Sequence, residues 1–208
     1  MKQTVSRTIL GQTLTISYFR ALFWEQNRTL VIADPHLGQP SRRISPEEEL
    51  LRLSDAMEFF SPQRLIVLGD LLADSSIAFR ASFRTWREQF RAVELFLVKG
   101  SRDILSDRAY RDLRVEPLNK ALYEGPFVFS HRPMERPVPN RIVICGQVHP
   151  AVALYDPQRM PVRYPCFYFG AAHIVLPAFS EAVRLTEIDP AEQDALYIVT
   201  ERGLQKVD

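Results

Sequence analysis

Asp34, His36, Asp70, His131 and His149 are the residues of this 208-residue chain whose types and spacing point to chemistry. Carboxylates and imidazoles together suit divalent first-row metals such as Mn, Fe, Zn or Ni. Two clustered carboxylates are also costly to keep buried without a cation. Asp34-Pro35-His36 supplies two donors from one strand end, because side chains two residues apart on extended backbone project to the same side. Apolar runs lead into each of these positions: LVIAD, LIVLGD, FVFSH and IVICGQVH, with LFLVKGSRD ending similarly at Asp103. Ligands of open α/β sheets bind at the carboxyl ends of strands. One sheet edge can therefore gather residues that lie far apart in the chain.

The elements that must position these side chains follow from the apolar patterning. Short runs of Val, Ile, Leu and Phe closed by Gly or a polar residue read as buried strands. Residues 13–24 alternate well enough for one or two strands, and Glu25-Gln26-Asn27-Arg28 turns into the run at 30–38, so the N-terminus pairs beside it. Pro35 disfavours helical backbone at Asp34, which predicts an extended conformation there. Ser45-Pro46-Glu47-Glu48 carries the capping-box pattern. The helix it starts reaches about Phe60, with Leu50, Leu53, Met57 and Phe60 on one face. A strand over 65–69 follows, so the stretch from Asp34 to Asp70 is a strand–helix–strand unit with parallel strands.

A second helix, over about 78–92, places Phe79, Phe83, Trp86 and Phe90 in a core stripe. Arg80, Arg84, Arg87 and Arg91 lie roughly 100° around it. They read as a solvated face or, alternatively, as a track for a phosphate backbone. A strand over 94–99 follows. Beyond Asp103, Pro and Gly interrupt the helical periodicity, and runs at Phe127, Ile142, Tyr164, Ile174 and Leu196 predict a mostly antiparallel sheet. Asp74 reads as a cap or turn residue, and His173 as a hydrogen-bonded core histidine.

Composition sets the outer bounds. With 46% apolar residues the chain can bury one substantial core, and a single domain over 1–208 is expected. A net charge of +1 provides no global basic field, so nucleic acid would need a local patch. Lys2, Lys99, Lys120 and Lys206 are the only lysines among 26 basic residues. That arginine bias suits phosphate pairing, and genomic base composition would produce it equally. Cys145 and Cys166 sit in apolar stretches without a CxxC pair, as buried reduced thiols do. No run approaches the roughly 18 apolar residues of a membrane span. A cytoplasmic protein without a membrane partner is expected.

In order and spacing, the blocks Asp34-Pro35-His36, Gly69-Asp70, Gly100-Ser101-Arg102-Asp103, Ser130-His131 and Gly146-Gln147-Val148-His149 resemble the signature of calcineurin-like metallophosphoesterases. ADPHLG, LIVLGDLL and the late YPCFYFG and IVLPAFS segments are similar to the bacterial DNA-ligase-associated metallophosphoesterase subfamily. The resemblance implies an α/β (α+β) fold, a four-layer αββα sandwich of two mixed β-sheets flanked by helices. It implies a phosphodiester or phosphomonoester hydrolase, a nucleotide or nucleic-acid substrate, and a link to DNA-repair proteins. By position, a first metal would use Asp34, His36, His149 and a bridging Asp70. A second would use Asp70 and His131.

The chain departs from that pattern at three places. Ser101 stands where the family has a ligating Asn, Gln147 where it has the first His of its GHxH block, and Arg102 where it has a phosphate-contacting His. One well-formed metal site, a second that is weak or absent, and reduced activity are therefore expected. Arg102 can restore a positive charge beside the site as a catalytic group acting with Asp70 and His131. It can also simply pair with Asp103 or Asp70 and close an abandoned site. His131 has the corresponding alternative of a hydrogen-bonded strand-end residue. The competing function is an inactive relative that binds a nucleotide or a DNA-repair partner.

Overall fold

The structure, a computed structural model, describes residues 3–39, 44–73, 76–155, 158–189 and 191–207. Asp74 lies outside the described residues. A seven-stranded mixed sheet is ordered β1 (Thr4–Ile9), β2 (Gln12–Ser17), β3 (Leu22–Trp24), β4 (Thr29–Ala33), β5 (Arg64–Leu68), β6 (Glu94–Val98) and β7 (Glu116–Leu118). The first four strands run antiparallel to their neighbours, and β4 through β7 are parallel.

Strand alternation divides the first sheet between two cores. Leu30, Ile32, Leu65, Val67, Leu95 and Leu97 face the helices, whereas Val31, Ala33, Ile66, Leu68 and Val98 face the second sheet. Helix α1 (Pro46–Phe60) starts as its sequence dictates: the Ser45 side chain accepts from the Glu48 backbone and Glu48 answers to the Ser45 N–H. It buries Leu50, Leu53, Ala56 and Met57. Helix α2 (Ile77–Gln89) buries Phe79, Phe83 and Trp86, and Trp86 Nε1 donates to Ser54 Oγ of α1 at 3.1 Å. A short α3 (Asp107–Asp112) buries Tyr110.

The arginine stripe on α2 is neither a uniform solvated face nor a continuous track. Arg87 is buried, and its guanidinium caps the carbonyls of Phe90, Val93 and Arg114. Those acceptors lie beyond the helix, so helical spacing alone carries no sign of them.

The nine-stranded sheet contains β8 (Leu122–Glu124), β9 (Phe127–Ser130), β10 (Ile142–Cys145), β11 (Pro150–Tyr155), β12 (Pro161–Phe169), β13 (His173–Val175), β14 (Thr186–Glu187), β15 (Ala195–Thr200) and β16 (Gly203–Val207). Most of its pairings are antiparallel, as expected, but its centre is not. β9, β10 and β13 are mutually parallel. A loop over 131–141 makes the first crossover and the β11–β12 hairpin lies within the second. No helical pattern betrays either crossover. Trp24, Phe127 and Phe129 pack between the sheets, with the first two rings edge-on at 5.1 Å. Each such buried aromatic contributes about 1.5–3 kcal/mol. The two mixed sheets and their flanking helices form the expected α+β architecture. In the second sheet, Val128, Val143, Cys145 and Val175 form a separate small cluster against which Ala121, Met134, Val138 and Val148 pack from connecting segments.

Cys145 and Cys166 are free and buried, and burial pushes both thiols up to about 12. Among the described residues no helix is long and apolar enough to cross a membrane.

Candidate metal centre

The two sheets converge where β4, β5, β9 and β10 end, and the candidate residues follow those ends. Asp34 and Asp70 come from the first sheet, His131 and His149 from the second. The site therefore straddles two sheets instead of crowning one. The segments after β4 and β5 run side by side, with His36 N–H donating to Asp70 C=O and Leu37 N–H to Leu71 C=O, both at 2.9 Å.

Backbone conformation at these ends differs from the extended form predicted for Asp34. Asp34, His36, Asp70, Gln147 and His149 all have positive φ, between 43° and 62°. For non-glycine residues this left-handed region is strained, and it persists where surrounding structure over-determines it. At Asp34 the determinants are visible. Phe179 N–H donates to Ala33 C=O at 2.7 Å, and Gln147 N–H donates to Asp34 Oδ2 at 2.6 Å. These two long-range bonds outweigh the preference imposed by Pro35.

Two glycines let the sheets close on one another. A Cβ at Gly69, which has φ +81°, would overlap the His131 ring. A Cβ at Gly146 would meet Asp34 Oδ2 and the Ala33 side chain. Each sheet thus yields space at a strand end for a functional side chain of the other.

The side chains form two overlapping groups, Asp34–His36–His149 and Asp34–Asp70–His131, within each of which the donor atoms lie within 4.8 Å of one another. Asp34 is the shared member at this spacing, where the resemblance assigns sharing to Asp70. Asp70 Oδ2 nevertheless lies 3.9 Å from His36 Nε2. His131 Nδ1 faces the Leu68 carbonyl at 3.0 Å and His149 Nδ1 the Arg184 carbonyl at 3.2 Å. A carbonyl only accepts, so both Nδ1 atoms carry the proton and both Nε2 atoms look inward. His149 Nε2 lies 3.7 Å from Asp34 Oδ2 and His131 Nε2 3.9 Å from Asp70 Oδ1.

Asp34 Oδ1, both nitrogens of His36 and His131 Nε2 are buried without a hydrogen-bond partner. Buried polar atoms are ordinarily paired, so convergent orphans of this chemistry fit a divalent cation. Burial lowers the His36 pKa against the pull of Asp34 and Asp70, aided by Arg102 and His149, and so favours the neutral imidazole a metal requires. For His149, burial pushes downward, but Asp34 and the Arg184 carbonyl carry it above its ordinary value.

Ser101 and Arg102 are exposed and Gln147 is half-buried. Arg102 donates its backbone N–H to Asp70 Oδ1 at 2.9 Å. Among the described residues no ion pair ties its guanidinium to Asp70 or Asp103, although its charge reaches His36. His173 is half-buried with Nε2 against the Met134 carbonyl at 3.0 Å, away from both groups.

Asp103 is the residue that sequence reasoning undervalued. Its Oδ2 accepts from the N–H groups of Asp70 at 2.7 Å and Gly100 at 2.8 Å. Its Oδ1 accepts from Leu71 N–H and Tyr110 Oη–H, both at 3.0 Å. The signals available were its place at the end of an apolar run like the others and at the close of the Gly100–Asp103 block.

No family model matches the chain, and no curated protein matches it. A solved structure does. The crystal structure of Pseudomonas putida nuclease MPE superimposes with a TM-score of 0.87 at 28% sequence identity, over 98% of this chain and 100% of that one. The two chains share one fold.

Proposed function

We propose that the chain is a metal-dependent phosphoester hydrolase of the calcineurin-like type, acting on phosphodiesters of nucleic acid. The observation that carries this reading is the set of orphaned buried donors of Asp34, His36 and His131 at the junction of the two sheets. The likeness to a nuclease supports the substrate class.

Asp34, His36, Asp70 and His149 would hold one cation firmly, Mn, Fe, Zn or Ni being suited to such N/O donors. His131 with Asp70 and Asp34 would hold a second more weakly, since Ser101 and Gln147 supply no strong ligand. When bound, a divalent cation supplies Lewis-acid polarisation of the phosphoryl group and acidifies water. The protein's part is orientation and charge. His131 keeps its Nδ1 proton on Leu68 C=O, which supports a ligand role through Nε2 over a role as proton donor. Arg102, exposed at the mouth, offers guanidinium donors to a non-bridging phosphate oxygen. A guanidinium does not give up its proton, so an arginine here cannot protonate the leaving group. Turnover is therefore expected to be slow.

The test is metal content of the purified protein together with manganese-dependent hydrolysis of an aryl phosphodiester and of single-stranded oligonucleotides. Hydrolysis that disappears in Asp70→Ala supports the reading. A protein that takes up metal but hydrolyses neither substrate fits the competing reading of an inactive binding module, which Ser101, Arg102 and Gln147 favour.

A further inference from the structure

His149 is reached from behind by a segment that no part of the proposed chemistry uses. After β13, residues 176–186 leave the second sheet, cross to the first and return as β14. Ala178 bridges Ala33, and Phe179 N–H donates to Ala33 C=O. Gln39 Nε2 donates to Ala182 C=O at 3.2 Å. The far end closes on the site: Arg184 C=O accepts from His149 Nδ1, and Thr186 N–H donates to His149 C=O at 2.9 Å.

What holds this segment is polar and buried. Ser180 and Glu49 are both fully buried, and Ser180 Oγ donates to Glu49 Oε1 at 2.6 Å. The same Ser180 oxygen accepts from Ala182 N–H at 3.1 Å, folding the chain toward Arg184. Arg52 donates to Phe179 C=O and pairs with Glu181 at 2.8 Å, while Arg20 donates to Ser180 C=O at 3.0 Å. A carboxylate and a guanidinium from one helix, α1, thus grip consecutive residues of the crossing segment.

We infer that Glu49 and Ser180 are positioning residues for His149. Their buried hydrogen bond seats the 178–186 segment, so that the Arg184 carbonyl fixes the His149 ring with Nε2 turned to Asp34. Partners that orient metal-ligating imidazoles commonly change metal affinity 10–100-fold when removed. The inference rests on the proposed metal site for its consequence, and on the hydrogen bonds of Ser180 and Arg184 for its cause.

Ser180→Ala removes the hydroxyl from both of its bonds. Its dissociation constant for Co2+, followed by visible absorption, is expected to rise at least about 10-fold. Glu49→Gln retains an acceptor for Ser180 and is expected to stay near the unaltered protein. Ile198→Ala, in the separate core of Cys166 and Leu196, is the control for lost stability and is expected to leave metal affinity unchanged. Long-range proton–nitrogen spectra of the metal-free proteins provide the second readout: His149 is an Nδ1–H tautomer in the unaltered chain and becomes a mixture in Ser180→Ala. An unchanged metal affinity in Ser180→Ala, or an equal loss in Ile198→Ala, overturns the inference. If the unaltered chain binds no metal, the proposed function fails. The tautomer spectra then decide the positioning role by themselves: a mixture in Ser180→Ala upholds it and an unchanged tautomer overturns it.

Discussion

The Asp103 carboxylate takes the backbone N–H of Asp70 at 2.7 Å, so one acidic residue sets the direction of another through the main chain. Asparagine at 103 would turn an amide N–H2 toward backbone donors. Each donor left unpaired is expected to destabilise by about 1–3 kcal/mol. Urea unfolding of Asp103→Asn should register that loss, and Tyr110→Phe, which deletes one bond to a charged acceptor, should lose about 1.5–3 kcal/mol.

Metal retention follows the two side-chain groups. Asp34→Ala should abolish uptake, because Asp34 belongs to both. His149→Ala should empty only the group that contains His36. In a thermal melt, metal at 100 times its dissociation constant should stabilise the unaltered protein by about 2.7 kcal/mol. That shift should vanish with a chelator and in Asp34→Ala.

Gly69→Ala tests the closeness of the sheets. The added methyl would overlap the His131 ring at a position whose φ is +81°, so the ring must leave Leu68 C=O. Metal content should fall and the chain should lose stability, as read by calorimetry. Full metal content in a stable Gly69→Ala protein would contradict the described fit.

The second metal position can be rebuilt. Ser101→Asn, Arg102→His and Gln147→His, combined, return a carbonyl ligand and two imidazoles to exposed or half-buried positions, with little effect on the core. The variant is expected to bind one more ion per chain and hydrolyse an aryl phosphodiester faster with manganese. No gain in either would mean that the loops have moved beyond the roughly 0.5 Å a functional constellation tolerates.

Glu49 supplies a pH dependence of stability. Burial raises its pKa, opposed by the Ser180 hydroxyl and by Arg52. The folded chain then holds this proton more tightly than the unfolded one. The contribution therefore favours folding at low pH, declines as pH rises above about 4.3, and levels off beyond the raised folded value. Unfolding free energies of Glu49→Gln, subtracted from those of the unaltered chain across this window, should show that decline.

Much of this was legible in the sequence, and the failures have physical causes. The capping box at Ser45 and the parallel β4–β5 pair follow from local pattern, and so does the place of Asp34, Asp70, His131 and His149 at or beyond strand ends, though not their division between two sheets. The left-handed backbone at Asp34 does not, because it is imposed by Phe179 and Gln147, more than a hundred residues away. The parallel centre of the second sheet was hidden because its crossovers contain loops and a hairpin where helices are usual. Arg87 looked like one member of a surface stripe because helical periodicity cannot see the carbonyls of Val93 and Arg114. Ser180 closes the IVLPAFS segment and Glu49 lies in the first turn of α1, but nothing in either local pattern points to a bond between them.

The placement of Asp34 and Asp70 on one sheet and of His131 and His149 on the other bears on how the chain opens. An ion held by the two carboxylates on one side and by His149 or His131 on the other would act as a rivet through the seam, and the two sheets could not separate without releasing it. Hydrogen exchange of the metal-free protein should then report β9–β10 and β4–β5 opening as separate units. With metal bound, their amides should exchange together, at the rate of global unfolding.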